Sequence, residues 1–146
     1  MLRLIIPGEA VPQLRPRFAR HGNYVQTYDP AKCRDYKSYV RMLAAVEVKR
    51  GQTLVTYPIE GPVEVRIAVY RHTPKSWSKA KIAAANAGHI RPTTKPDIDN
   101  IAKGLKDALK GLIWVDDSQV VRLEAEKWYG DEPRAVVEIE EVTYFA

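Results

Sequence analysis

Two carboxylates stand one residue apart in Lys95-Pro96-Asp97-Ile98-Asp99-Asn100, and a second acidic pair, Asp116 and Asp117, follows downstream. Oxygen donors of this kind suit a hard cation of the magnesium type, which takes carboxylates, waters and substrate phosphate oxygens in near-octahedral geometry. Lys103 lies four residues beyond Asp99 and adds an ammonium to the set. Metal-assisted reaction at a phosphodiester is the chemistry such a group would serve, because the transition state spreads extra negative charge over oxygens. Lys103 would either orient the phosphate and stabilise developing charge or relieve repulsion between the carboxylates. Both roles stay open on the sequence.

Each acid also has a plain structural explanation. Asp97 or Asp99 would serve as an N-cap or first-turn acid that satisfies free N–H groups and complements the helix dipole. Asp99 and Lys103 have the spacing and order of a surface ion pair along a helix. Asp116 and Asp117 would be turn residues opening a strand near Gln119. Taken singly these explanations suffice; together they account less well for a Pro, two acids and an Asn crowding one helix start.

The element that would carry the first acids is a helix. Ile98, Ile101, Leu105, Ala108, Leu109 and Leu112 recur at the spacing of one apolar face. Asp99, Lys103, Lys106 and Lys110 then form a stripe on the opposite side. Upstream, Met1 to Pro7 reads as an apolar strand, and residues 8–28 as a Pro/Arg-rich loop or hairpin turning at Gly22-Asn23. Asp29 and Pro30 supply an N-cap and a first-turn proline for a helix to about Arg50, with Tyr36, Tyr39, Val40, Leu43 and Ala44 facing the core. Residues 51–62 read as a linker. Val63, Val65, Ile67 and Val69 alternate with more polar residues as in a half-buried strand. Ser78 to Ala87 forms a short helix ending at Gly88, and an extended basic approach leads to Pro96. Strands near 119–129 and 135–144, parted by a turn at Gly130 to Pro133, complete the chain. This order predicts an α+β fold, helices packed on a small mixed β-sheet, in a single domain over residues 1–146.

Composition points to a polyanionic partner. The net charge of +5 is unevenly spread: residues 1–50 and 71–110 each carry +6, whereas residues 111–146 carry −6. Arg15, Arg17 and Arg20, interleaved with Phe18 and Tyr24, have the make-up of a segment that tracks phosphates and stacks on an exposed base. A solvated basic loop would look the same. Lys75, Lys79, Lys95, Lys106 and Lys110 are further candidates for phosphate contact. Trp77 reads equally as a DNA-facing aromatic or as a core or interface anchor.

Other chemistries find little support. No acid stands two residues before Lys103, Lys106, Lys110 or Lys127, which removes the common PD…(D/E)xK nuclease pattern. Cys33, His21, His72 and His89 lack zinc-ligand spacing. There is no Gly-rich phosphate loop and no G-x-S-x-G turn. A lone cysteine, most simply a packed one, with no signal-peptide pattern or long apolar span, leads to the expectation of a soluble cytoplasmic protein without membrane association.

The combination of Lys95-Pro96-Asp97-Ile98-Asp99-Asn100, Lys103 and Trp114-Val115-Asp116-Asp117-Ser118-Gln119-Val120 resembles the signature of the RusA family of Holliday junction resolvases. Val11 to Phe18, Tyr28-Asp29-Pro30 and Pro74 to Ser78 extend the likeness, toward the phage and prophage branch, over nearly the whole chain. The resemblance implies that Asp97, Asp99 and Asp117 are metal-binding catalytic carboxylates, that Lys103 is a catalytic lysine, and that Asp116 is the less critical neighbour. It further implies a homodimer that uses Mg²⁺, with Mn²⁺ as a substitute, to cut four-way and other branched DNA in recombination and repair. A noncatalytic branched-DNA-binding module, and a metal-dependent nucleotide phosphohydrolase, are the alternative readings of the same residues.

Overall fold

Alternating apolar residues build the centre of the chain, a four-stranded sheet. The computed structural model describes residues 1–51 and 55–143. Strands β1 (Leu2–Pro7), β4 (Val63–Arg71), β5 (Val120–Tyr129) and β6 (Arg134–Glu141) lie in the order β1-β6-β4-β5. β6 runs antiparallel to both β1 and β4, and β5 runs parallel to β4, so the sheet is mixed. β2 (Arg17–His21) and β3 (Tyr24–Tyr28) form a separate hairpin. Gly22 turns it at a positive φ that a residue with a Cβ rarely adopts. The whole is a small α+β fold, as expected.

One sheet face is apolar and buried. Leu2, Leu4 and Ile6, Val63, Val65, Ile67 and Val69, and Ala135, Val137 and Ile139 point into the core. Helix α1 (Ala31–Arg50) covers it with Tyr36, Val40 and Ala44, and helix α3 (Ile98–Leu109) with Ile101, Leu105 and Leu109. Each of these larger aliphatic side chains gains roughly 1.5–3 kcal/mol from complete burial. The opposite face carries Glu64, Arg66, Glu124, Glu126 and Glu138, with ion pairs from Arg66 and Arg122 to Glu124. Glu124, Glu126, Glu138 and Glu140 of the acidic C-terminal third therefore project from the sheet face opposite the helices. Helix α2 (Lys79–Asn86) packs beside β5, its start capped by the Ser78 hydroxyl accepting the Lys81 N–H.

Local chemistry moves two expected boundaries. Asp29 does not cap α1: Pro30 holds the N-cap position and makes no side-chain bond. The Asp29 carboxylate instead accepts from Lys37 Nζ at 2.6 Å and Gln13 Nε2 at 3.2 Å. A charged donor makes a stronger bond to a carboxylate than a neutral backbone N–H, and it draws the side chain away. Helix α3 stops at Leu109 although the apolar series runs to Leu112. Gly111, at φ +80°, turns the chain, and Arg41 donates to the carbonyls of Ala108 and Lys110 at the helix end. Residues 52–54 of the expected linker and residue 144 of the last expected strand lie outside the described residues.

Candidate active site

Helix α3 and the 3-10 turn Asp117–Gln119 hold the acids singled out in the sequence. Asp97 occupies the N-cap position of α3, is exposed, and makes no side-chain cap bond. Its carboxylate is thus not consumed by the capping role that its position would allow. Asp99, in the first turn, is exposed and accepts the N–H of Asn100 at 3.0 Å. The ion pair that the spacing of Asp99 and Lys103 would allow as a plain structural alternative is not formed, and Lys103 has no ion pair among the described residues. Asp117 is half-buried, and its Oδ1 accepts the indole N–H of Trp114 at 2.9 Å.

The segment from Glu9 to Pro16 lies across α3 and shapes two adjoining clefts. Gln13 N–H donates to the Asn100 carbonyl at 2.9 Å. The segment crosses at Gly104, where a Cβ would lie 3.4 Å from the Gln13 nitrogen. On one side of Asn100 a cleft of about 560 Å³ is lined by Asp97, Lys95, Lys32 and Arg71, with Val11 and Pro12 as apolar wall. On the other side a cleft of about 440 Å³ is lined by Lys103, Asp117, Asp107, Asp29 and Arg15. Asn100 borders both. Asp97 and Asp117 thus face neighbouring clefts, while Asp99 is outside the lining of either. Among the described residues no three acid, His or Cys side chains are gathered closely enough to hold a metal ion. The donor set nonetheless suits magnesium chemistry, since Mg²⁺ is commonly held by one or two carboxylates and completed by waters and substrate phosphates rather than by an all-protein cage. The carboxylate of Asp97 and Oδ2 of Asp117 have no hydrogen-bond partner among the described residues and remain available as oxygen donors.

A family model described as Endodeoxyribonuclease RusA matches residues 7–140, a span that contains both clefts. The chain belongs to the RusA endodeoxyribonuclease family. It is 46% identical over 144 residues to the uncharacterized protein YqaN of Bacillus subtilis (strain 168), a match covering 97% of each chain. It is also 45% identical over 51 residues to the crossover junction endodeoxyribonuclease rusA of Lactococcus phage r1t, across 34% of this chain and 39% of that protein.

Within this RusA-family domain Asp116 differs sharply from its neighbour. Its Oδ2 accepts the Ser118 hydroxyl at 2.6 Å and the Ser118 N–H at 3.0 Å, and Lys110 Nζ lies 3.4 Å from its Oδ1. These contacts, those of Ser118 foremost, lower the Asp116 pKa to about 2. Gln119 completes a reciprocal capping box by accepting the Asp116 N–H at 2.7 Å. Asp116 is therefore committed to holding the turn. Asp29 is kept below the usual carboxylate range chiefly by its hydrogen bond to Lys37. Burial disfavours the charge on Lys37, but hydrogen bonds from it to Asp107 and Asp29 outweigh that and raise its pKa.

The basic candidates lie at several places around these clefts. Arg15 lines the Lys103 cleft; Arg17 and Arg20 are exposed on the β2–β3 hairpin, beside the exposed aromatics Phe18 and Tyr24. Lys75 and Lys79 are exposed near the start of α2, and Lys95 lines the Asp97 cleft. Lys106 is half-buried, and Lys110 is engaged with Asp116. Trp77 is half-buried, edge-on to Tyr129 at 5.3 Å, with the Lys81 ammonium 4.1 Å from its ring centre. Cys33 is buried, its Sγ 3.3 Å from the Pro12 carbonyl, as a packed thiol should be.

Sequence reasoning gave no role to the residues that support the acids. Gln119 Nε2 donates to the carbonyls of Ile59 and Gly61 at 2.7 and 2.9 Å, tying the acidic turn to the strand entering the sheet. Trp114 and Gln119 both fall inside the acidic motif, so the signal was present there without its physical meaning. Lys127 on β5 donates to the Thr94 and Pro96 carbonyls. Its partners are backbone groups far away in the chain, and no side-chain pattern announces them.

Proposed function

We propose that this chain is a Mg²⁺-dependent endonuclease that resolves four-way junctions and related branched DNA as a homodimer, in recombination and repair. The observation that carries this reading is the placement of Asp97 and of Asp117 with Lys103 in two clefts that adjoin at Asn100. Family membership supplies the expectation of DNA cleavage, and the phage relative's name supplies the junction. Cations stand beside the acids in both clefts, Arg15 and Lys103 in one and Lys32, Arg71 and Lys95 in the other, where they could meet phosphates.

In this reading Asp97, Asp99 and Asp117, which are not gathered into one cluster without the ion, would converge on it and leave the rest of its shell to waters and substrate phosphate oxygens, with Mn²⁺ able to replace Mg²⁺. When bound, the ion supplies a Lewis acid for the phosphate and lowers the pKa of an attacking water. Lys103, free of any carboxylate partner among the described residues, offers its ammonium to a phosphate oxygen as charge builds there. The water oxygen would bond to phosphorus and release a proton to solvent as the bond to the 3′-oxygen breaks, and the departing 3′-oxygen would take up a proton from solvent, which leaves a 3′-hydroxyl and a 5′-phosphate. Arg15, Arg17, Arg20, Lys75, Lys79, Lys95, Lys106 and Lys110 hold the strands through phosphates, which fixes register without reading sequence. A DNA substrate would place the protein in the cytoplasm. Among the described residues no helix is long and apolar enough to cross a membrane.

The test incubates the purified protein with a synthetic four-way junction, a linear duplex and a nucleoside triphosphate, each with Mg²⁺, Mn²⁺ or EDTA. Paired metal-dependent nicks in the junction, with little cutting of the duplex, are expected. Binding without nicking would make the chain a junction-binding module, and release of phosphate from the triphosphate alone would make it a phosphohydrolase.

A further inference from the structure

A carboxylate at a protein surface samples several rotamers, and an ion that binds it must pay for choosing one. Asp117 has been relieved of much of that freedom. Its Oδ1 accepts the indole N–H of Trp114 at 2.9 Å, and the indole is fully buried in the core. The donor residue is itself held by its backbone: the Trp114 carbonyl accepts the Gly111 N–H, and the residue bridges to both Ile59 and Lys110. The Asp117 backbone is fixed as well, because Gln119 ties the same 3-10 turn to the carbonyls of Ile59 and Gly61. A buried indole N–H needs some acceptor, and a backbone carbonyl would serve that purpose. Here the acceptor is a cleft-lining carboxylate of the proposed active site.

We propose that Trp114 is a positioning residue: it occupies Oδ1 of Asp117 and thereby presents Oδ2 to the cleft as a pre-oriented metal ligand. The inference rests on the assignment of Asp117 as a ligand. Groups that orient a ligating side chain from behind commonly change metal affinity by about 10–100-fold when removed. Rigid support of this kind is what separates a formed site from a loose one.

The test replaces Trp114 by β-(3-benzothienyl)alanine, in which sulfur stands where the indole N–H was, so that shape is kept and the donor is removed. W114F serves as a second, genetically simple variant, and D117N as the reference. Mn²⁺ binding without DNA is measured by electron paramagnetic resonance, thermal unfolding is followed alongside, and the Mg²⁺ concentration for half-maximal junction cleavage is determined. The isostere should raise the Mn²⁺ Kd by about 10–100-fold with Tm nearly unchanged, and saturating Mg²⁺ should restore most of the cleavage rate. A Kd within about twofold of the parent's, while D117N weakens binding, would overturn the positioning role alone. Mn²⁺ binding that D117N leaves untouched would overturn the ligand assignment and this inference with it.

Discussion

The ammonium of Lys127 lies 3.1 Å from the carbonyl oxygen of Pro96, the residue immediately before Asp97. The same group donates to the Thr94 carbonyl at 2.7 Å, so a half-buried cation on β5 pins the loop that delivers the first catalytic candidate to the start of α3. Hydrogen bonds from a charged donor contribute about 1.5–3 kcal/mol each in favourable settings. Lys127→Met keeps the stem and removes the donor. It should lower unfolding stability in urea by about 1–3 kcal/mol. It should also slow single-turnover cleavage more than it weakens junction binding. A variant that binds poorly but cuts normally once bound would show Lys127 acting on DNA instead.

Substitution of the proposed ligands separates charge from chemistry. Asp97→Asn, Asp99→Asn and Asp117→Asn should each reduce cleavage by about 10²–10³-fold, the scale on which losing one stabiliser of transition-state charge is felt. Binding should stay intact or tighten, since less negative charge faces the phosphates. Gel-shift titration and cleavage on the same junction read both quantities. Asp99 is the most exacting case, because it lines neither cleft. Near-normal cutting by Asp99→Asn would remove it from the site.

The arginines and Lys103 should behave differently from each other. Neutralising Arg15, Arg17 or Arg20 should weaken junction binding and reduce the slope of log K against log salt by about one unit for each phosphate that the side chain had neutralised. Lys103→Ala should instead depress the rate on bound DNA. Full recovery of that rate at saturating protein would assign Lys103 to binding alone.

Asp116 carries an acid-sensitive part of the fold. Its pKa falls from 3.8 to about 2 through its bonds to Ser118 and Lys110. A carboxylate depressed on folding stabilises the native state above its unfolded pKa, and that contribution disappears as pH falls through the folded value. The Tm difference between the parent protein and Asp116→Asn should therefore be constant above about pH 5 and shrink between about pH 4 and pH 2. Cleavage by Asp116→Asn should fall less than for the other three acids. An equal or greater fall would give Asp116 a direct part in the chemistry.

How far these features can be read from sequence follows from the range of the interactions. The period-two run from Val63 to Val69 and the helical series from Ile98 to Leu109 are legible because one buried face imprints its spacing on neighbouring residues. The strand order is not: nothing local in β5 says that it lies parallel to β4, while β6 crosses between β4 and β1. Asp29 looks like an N-cap because a cap is a local motif, whereas its actual partner, Lys37, competes from two turns into the helix. Residue type and spacing single out Asp97, Asp99, Asp116 and Asp117 as candidates, but not that Asp97 and Asp117 line a cleft while Asp99 lines neither. Their arrangement around Asn100 depends on the Glu9 to Pro16 segment lying across α3, an approach between parts of the chain far apart in sequence.

Two nicks are needed to resolve one four-way junction, and the chain offers one set of carboxylates and no internal repeat from which to build another. Two copies about a twofold axis would supply two sites and match the symmetry of the junction. Apolar surface for such a dimer exists: β5 is an edge strand with Val121 and Leu123 exposed, and Met42 and Val46 are exposed on α1. Light scattering should give about twice the chain mass of 16.6 kDa at working concentrations. A mixed dimer of one active subunit and one Asp97→Asn subunit should nick one strand without completing resolution, because each site reaches only the strand that it faces. Complete resolution by a protein that stays monomeric both free and on the junction would rule the symmetric arrangement out.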